Sequence, residues 1–209
     1  MTFLEIAQKV ARESGITTNG PATVIGQQGG LGKVISWVLD SILDVINESN
    51  HWEFMWAEAT STTVVGKSKY LLGDLNASDL KHTDTFRVGG VTLTYTPWEM
   101  WKDTGRFRSL SPLVPYQYTI NPAREVILFP TPQTPMVIEL EYYKRAVLPV
   151  QSTDQIIIPI EYQPIIVQKA LMYYSVHEDD VGRYQQTQIE YERWLGLLFR
   201  DYTPQVSFR

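Results

Sequence analysis

The chain has 209 residues and no cysteine, which excludes disulfides, thiolate metal sites and cysteine nucleophiles together. Its formal charge of −5 is opposite in sign to the basic surplus of proteins that wrap phosphates, so non-specific nucleic-acid binding is disfavoured. The length suits one domain, or one domain carrying an insertion, with no need of a covalent or metal staple.

No apolar run approaches the ~20 residues that span a bilayer, and Met1–Glu5 lacks the basic start of a secretory signal. The expectation is a chain made in soluble form in the cytoplasm, with no membrane partner. Aromatic residues are abundant, with six tryptophans and twelve tyrosines. Such side chains either fill a β-rich core or supply contact area at an interface.

In chain order, Thr2 and Glu5 form a T-x-x-E capping box that opens a short helix with Phe3, Ile6, Ala7 and Val10 on one face, ended by Gly15. The polar, Gly-rich stretch Thr17 to Gly30 reads as a linker, or as an exposed loop touching a neighbour. Leu31, Val34, Ile35, Val38, Leu39, Ile42 and Ile46 then mark a second helix running to about Glu48. The cluster His51 to Trp56 (HWEFMW) follows as a packed aromatic corner.

Between roughly Ala57 and Val147 the apolar period shortens to two. Thr85–Val88, Gly89-Gly90 and Val91–Tyr95 predict a hairpin closed by a turn with positive φ. Tyr116–Ile120, Val126–Phe129 and Met136–Lys144 predict further antiparallel strands, with turns at Asn121-Pro122 and Thr131-Pro132. Helical spacing returns near Glu161, with Pro164 in a first turn. Asp179-Asp180 breaks that helix and caps another, in which Val181, Tyr184, Gln188, Tyr191, Leu195 and Leu198 alternate at three and four. Both helices come out near 25 Å, long enough to lie antiparallel along their whole length.

The fold class is therefore α+β: N-terminal helices and a C-terminal αα-hairpin, interrupted by a small antiparallel β-sheet or sandwich. The expected division is residues 1–56 and 156–202 for the helical core, 57–155 for the β region, and 203–209 for an extended tail. In that tail Val206 and Phe208 follow Pro204 and point the same way, as in a strand added to a sheet edge or two anchors laid in a groove.

Catalytic templates fail on inspection. Gly26 to Lys33 imitates a phosphate loop, but the opening glycine's position is Gln27 and the Mg²⁺-binding hydroxyl's position is Val34. His51, His82 and His177 are scattered, so zinc ligation is not expected, and no sequence feature supports a Ser/His/Asp constellation. Glu139 and Glu141 share one face of a strand, the pattern of a solvated surface, and Glu178-Asp179-Asp180 lacks the spacing of a calcium loop. No enzyme activity and no cofactor is expected. Trp98, Trp101, Arg106 and Arg108, within WEMWKDTGRFR, interleave aromatic and basic groups. That mixture suits a protein interface, with single-stranded nucleic-acid binding as the rival. Tryptophans in a β region leave a carbohydrate-binding tail component as a further alternative, though no carboxylate pair supports it.

The ordered series LEIAQKVARESG, a glycine-rich loop, LGKVISWVLDSILDVINES, HWEFMW, WKDTGRFRSLSPLVPYQYTI, VILFPTPQTPMVIELEYYKRAVLP, IPIEYQPIIVQKALMYYSVHEDDVGRYQQTQIEYERWL and RDYTPQV resembles the head-to-tail adaptor (connector) proteins of tailed bacteriophages. Gly66 to His82 matches no part of that pattern. The resemblance implies a structural virion protein at the head–tail junction, oligomerising as a ring of about a dozen copies through heterologous contacts. Its partners would be the portal and the tail nozzle, with genomic DNA passing through the lumen without specific binding. In that frame the two long helical regions make the ring wall, the β region faces tail components and the tail docks on the portal. The expected interface residues are Trp98, Trp101, Arg106, Arg108, Tyr184, Tyr191, Pro204, Val206 and Phe208.

Overall fold

The computed structural model describes residues 1–104 and 114–204. In chain order its helices and strands are α1 (Phe3–Ser14), α2 (Gly29–Asn47), β1 (Trp56–Thr62), β2 (Lys69–Leu71), β3 (Leu80–Val88), β4 (Val91–Thr92), β5 (Thr94–Tyr95), α3 (Trp98–Thr104), β6 (Gln117–Ile120), β7 (Glu125–Phe129), β8 (Val137–Lys144), α4 (Pro164–His177) and α5 (Val181–Tyr202). They divide into two compact units, Met1–Met55 with Ala146–Arg209, and Trp56–Arg145. The expectation of helices around an inserted β region holds.

In the helical unit the capping box forms as read. The Glu5 N–H donates to the Thr2 hydroxyl at 3.2 Å, and the Thr2 N–H to the Glu5 carboxylate at 2.8 Å. The Gly-rich stretch is not a free linker. Pro21 and Val24 are buried, Gln8 Nε2 donates to the Pro21 carbonyl at 3.0 Å, and the Val24 N–H donates to Ser152 Oγ at 3.1 Å. At Gly20, φ is +72° and a Cβ would stand 2.7 Å from the Gln8 Cα, so the loop can seat on α1 only with glycine there.

Helix α4 is the centre of this unit. Ile165, Ile166, Val167, Ala170, Leu171 and Met172 bury nearly all of its circumference, and it packs against α1, α2 and α5. A helix apolar all round must be surrounded. Helix α2 buries Val34, Val38, Ile42 and Ile46 at four-residue spacing. The last two helices are not matched in length. At 14 and 22 residues they measure about 21 and about 33 Å, so α5 outruns its partner. Of the apolar positions read on α5, only Tyr191 and Leu198 are buried, joined by Thr187, while Val181 is 65% exposed.

In the β unit one sheet has the order β1-β8-β3-β4 and the other β2-β7-β6-β5. Phe86, Val88, Ile138 and Leu140 from the first share a core with Tyr70, Tyr118, Val126 and Leu128 from the second. The Gly89-Gly90 turn forms, with φ of +58° and +78°, as a two-residue hairpin loop requires. The strand after it is short. Leu93 N–H still bonds to the Phe86 carbonyl at 2.8 Å, but Leu93 is buried and Thr94 N–H turns to the Tyr116 carbonyl at 2.9 Å. There β5 joins the other sheet and runs parallel to β6, which departs from the expected all-antiparallel region. A second departure is that WEMW is helical. Pro97 cannot extend the strand, and its carbonyl accepts from the Trp101 N–H at 2.9 Å in the first turn of α3.

Candidate assembly surfaces

A partly exposed polar seam runs along the packing edge of α2, α4 and α5, with only Tyr191 fully buried. Asp44 accepts from the Tyr173 hydroxyl at 2.6 Å and pairs with Lys169 at 3.2 Å. Tyr191 donates to Glu48 at 3.0 Å, and the Lys169 ammonium lies 4.8 Å from the Tyr191 ring centre. Burial first, and then the Asp44 hydrogen bond, push the Tyr173 phenol up to about 12. Burial and the neighbouring Glu48 likewise raise Tyr191. Both phenols stay neutral donors at physiological pH, so the seam fixes the rotation of three helices about their axes. Such a network specifies one packing arrangement more than it adds stability.

The two ends of the bundle differ. At the α4–α5 turn, Lys33 lies 2.8 Å from His177 Nε2, Trp37 packs on Tyr174 and His177 at 5.9 and 5.7 Å, and Arg183 sits 5.0 Å over Tyr174. Asp180 caps α5 by accepting from the Arg183 N–H at 2.9 Å. Val176 and Val181 flank this turn, both about two-thirds exposed (67% and 65%). Val181 carries the helical spacing expected of a buried position yet stands in solvent, and Val176 was not singled out by that spacing.

At the other end the overhang of α5 meets an aromatic cluster. Trp52 is 1% exposed, its indole N–H donates to the Ile46 carbonyl at 3.1 Å, and its ring lies 4.8 Å from Phe199 and 5.6 Å from Phe54. Tyr202 packs on Phe54 and Tyr162 and donates to Glu161 at 2.8 Å. Hydrogen bonds from Arg200 and from the Tyr162 hydroxyl hold the Asp201 carboxyl down at about 2. Thr203 closes the helix by donating to the Phe199 carbonyl. These contacts hold α5 in place up to Thr203.

The sequence-derived interface residues scatter. Trp98 and Tyr184 are partly exposed and Pro204 is exposed. Trp101 is 9% exposed with its ring edge-on to Phe129 at 6.4 Å, and Tyr191 is 5% exposed, so both rings are engaged inside the fold. Arg106, Arg108, Val206 and Phe208 lie outside the described residues.

Glu58 lies opposite Glu141 across β1 and β8, Arg87 bridges to Glu141 at 2.9 Å, and the exposed sheet face they share resembles a solvated surface. No cluster of acidic residues and histidines among the described residues could hold a metal, and no described helix is long and apolar enough to cross a membrane. Lys33, the lysine of the phosphate-loop imitation, faces His177.

No curated protein matches the sequence significantly. The SU10 adaptor protein family matches it over residues 1–207, nearly the whole chain, across both the helical and the β unit. Taken with the helix order and the inserted β region, that match makes this chain a member of the SU10 adaptor protein family, a family of bacteriophage adaptors.

Proposed function

We propose that the protein is a non-enzymatic virion component that forms a ring of about a dozen copies, joining the portal to the tail nozzle and leaving a conduit for DNA. The observation that carries this reading is the family match across 1–207. Three features of the chain support it. The rigid three-helix seam suits a ring wall that must hold one shape under internal pressure. The apolar side chains Val176, Val181 and Ile189, each about two-thirds exposed, lie on one end and one outer face of the last two helices, where subunit contacts would cover them. The net charge of −5 keeps a polyanion from adhering to the lumen.

Trp98, Tyr184 and the tail from Pro204 onward, with Val206 and Phe208, are the proposed contact points, and the tail docks on the portal. The aromatic cluster around Phe199 and Tyr202 anchors the end of α5, from which that tail continues. Deleting residues 203–209 leaves a folded protein whose capture by purified portal protein is weakened. Unchanged capture removes the docking role, and a mass measurement with portal that finds only monomer removes the ring. The rival reading, stacking of single-stranded nucleic acid on Trp98 and Trp101 beside Arg106 and Arg108, loses one of its two platforms because the Trp101 ring is packed against Phe129.

A further inference from the structure

The β unit contains a cleft of about 640 Å³ that the adaptor reading does not use. Seven consecutive residues of β3, Leu80 to Phe86, line one wall. A strand seen face-on contributes every second residue to a wall, because its side chains alternate. An unbroken run means that the strand presents its edge. The pairing explains why that edge is open: β8 takes one side of β3 along its length, while β4 covers the other side only at Arg87 and Val88 before the chain crosses at Leu93. The facing wall carries Tyr95, Tyr118 and Ile120, with the two rings 5.4 Å apart and Tyr95 49% exposed.

The charge at this cleft runs against that of the whole chain. Lys81 and Arg124 line it and neither forms an ion pair among the described residues, while Asp84 is the single carboxylate of the lining. Arg124 is held in place by donating to the Leu80 carbonyl from a left-handed turn residue at φ +61°. The β3–β8 register shifts at Lys81 and again at Asp84. Such bulges deny the straight sheet edge of another copy a regular ladder, but a single flexible strand can follow them.

The geometry points to a peptide-docking site: an extended acidic segment of a partner protein adds as a strand along Lys81–Thr85, its main chain bonding to β3, its carboxylates meeting Lys81 and Arg124, and its apolar side chains resting on the half-exposed Tyr95, which the buried Tyr118 backs. Lys81–Thr85 offers about 17 Å of edge at ~3.3 Å per residue, room for a short strand.

The test uses the full-length protein and two peptides of alternating Val and Thr, one carrying two glutamates and the other two lysines in their place. Hydrogen exchange should show the amides of residues 81–85 slowed by the glutamate peptide and not by the lysine peptide. Lys81→Glu and Tyr95→Ala, both surface changes whose folding is checked by circular dichroism, should each weaken binding at least about tenfold. Absence of protection at 81–85 in the unmutated protein, equal protection by both peptides, or competition for the cleft by a neutral oligosaccharide at lower concentration than the peptide would each overturn the proposal. None of these results bears on ring formation, which is read separately from mass.

Discussion

Replacing Trp52 with alanine tests whether the aromatic cluster at the foot of α5 is a structural keystone of the helical unit. The side chain is 1% exposed and is wedged between Phe54 and Phe199. A buried tryptophan removes up to ~250 Å² from water, an upper bound of about 6 kcal/mol at ~25 cal/mol per Å². Incomplete collapse around the vacancy brings the expected loss to about 3–5 kcal/mol. That is a large share of a typical domain's ~5–15 kcal/mol. Trp52→Phe separates the contributions: it keeps an aromatic ring but leaves the Ile46 carbonyl without its indole donor, which costs about 1–3 kcal/mol. Urea titration followed by helical far-UV ellipticity reads both. A loss below about 1.5 kcal/mol for alanine, or equal losses for the two variants, would refute the assignment of Trp52 as the floor on which Phe54 and Phe199 rest.

Two further outcomes follow from the helical unit. Asp180→Ala removes the side-chain cap of α5 and should cost about 1 kcal/mol, whereas Asp180→Asn, which can still accept from the Arg183 N–H, should cost much less; equal losses in the same titration would dismiss the cap. The raised phenol of Tyr173 makes stability fall in alkali: its contribution is complete below the unfolded value of about 10 and is lost as pH rises through about 12, because the fold binds the proton more tightly than the unfolded chain does. Tyr173→Phe should flatten that limb, and an unchanged slope between pH about 10 and about 12 would show that burial and Asp44 do not hold this phenol neutral.

Legibility followed the range of the interactions. The capping box at Thr2 and Glu5, the four-residue spacing of Val34, Val38, Ile42 and Ile46, the left-handed Gly89-Gly90 turn and the Asp180 cap each depend on neighbours within a few positions, and each stands where the spacing put it. The pinned loop around Gly20 was misread because its partners, Gln8 and Ser152, are distant or come from the other half of the unit. Trp98 and Trp101 looked equivalent in the sequence. Only the packing of Phe129 against one of them takes it out of solvent.

Local chemistry thus determined by itself that this chain alternates helices, short strands and helices and carries no cysteine chemistry. Which strand crosses from one sheet to the other, how far α5 outreaches α4, and the open edge of β3 beside Tyr95 were decided only when the whole chain folded. The reason is that strand pairing and helix overhang are settled by contacts across tens of residues, where a two- or four-residue period carries no information about which neighbour arrives.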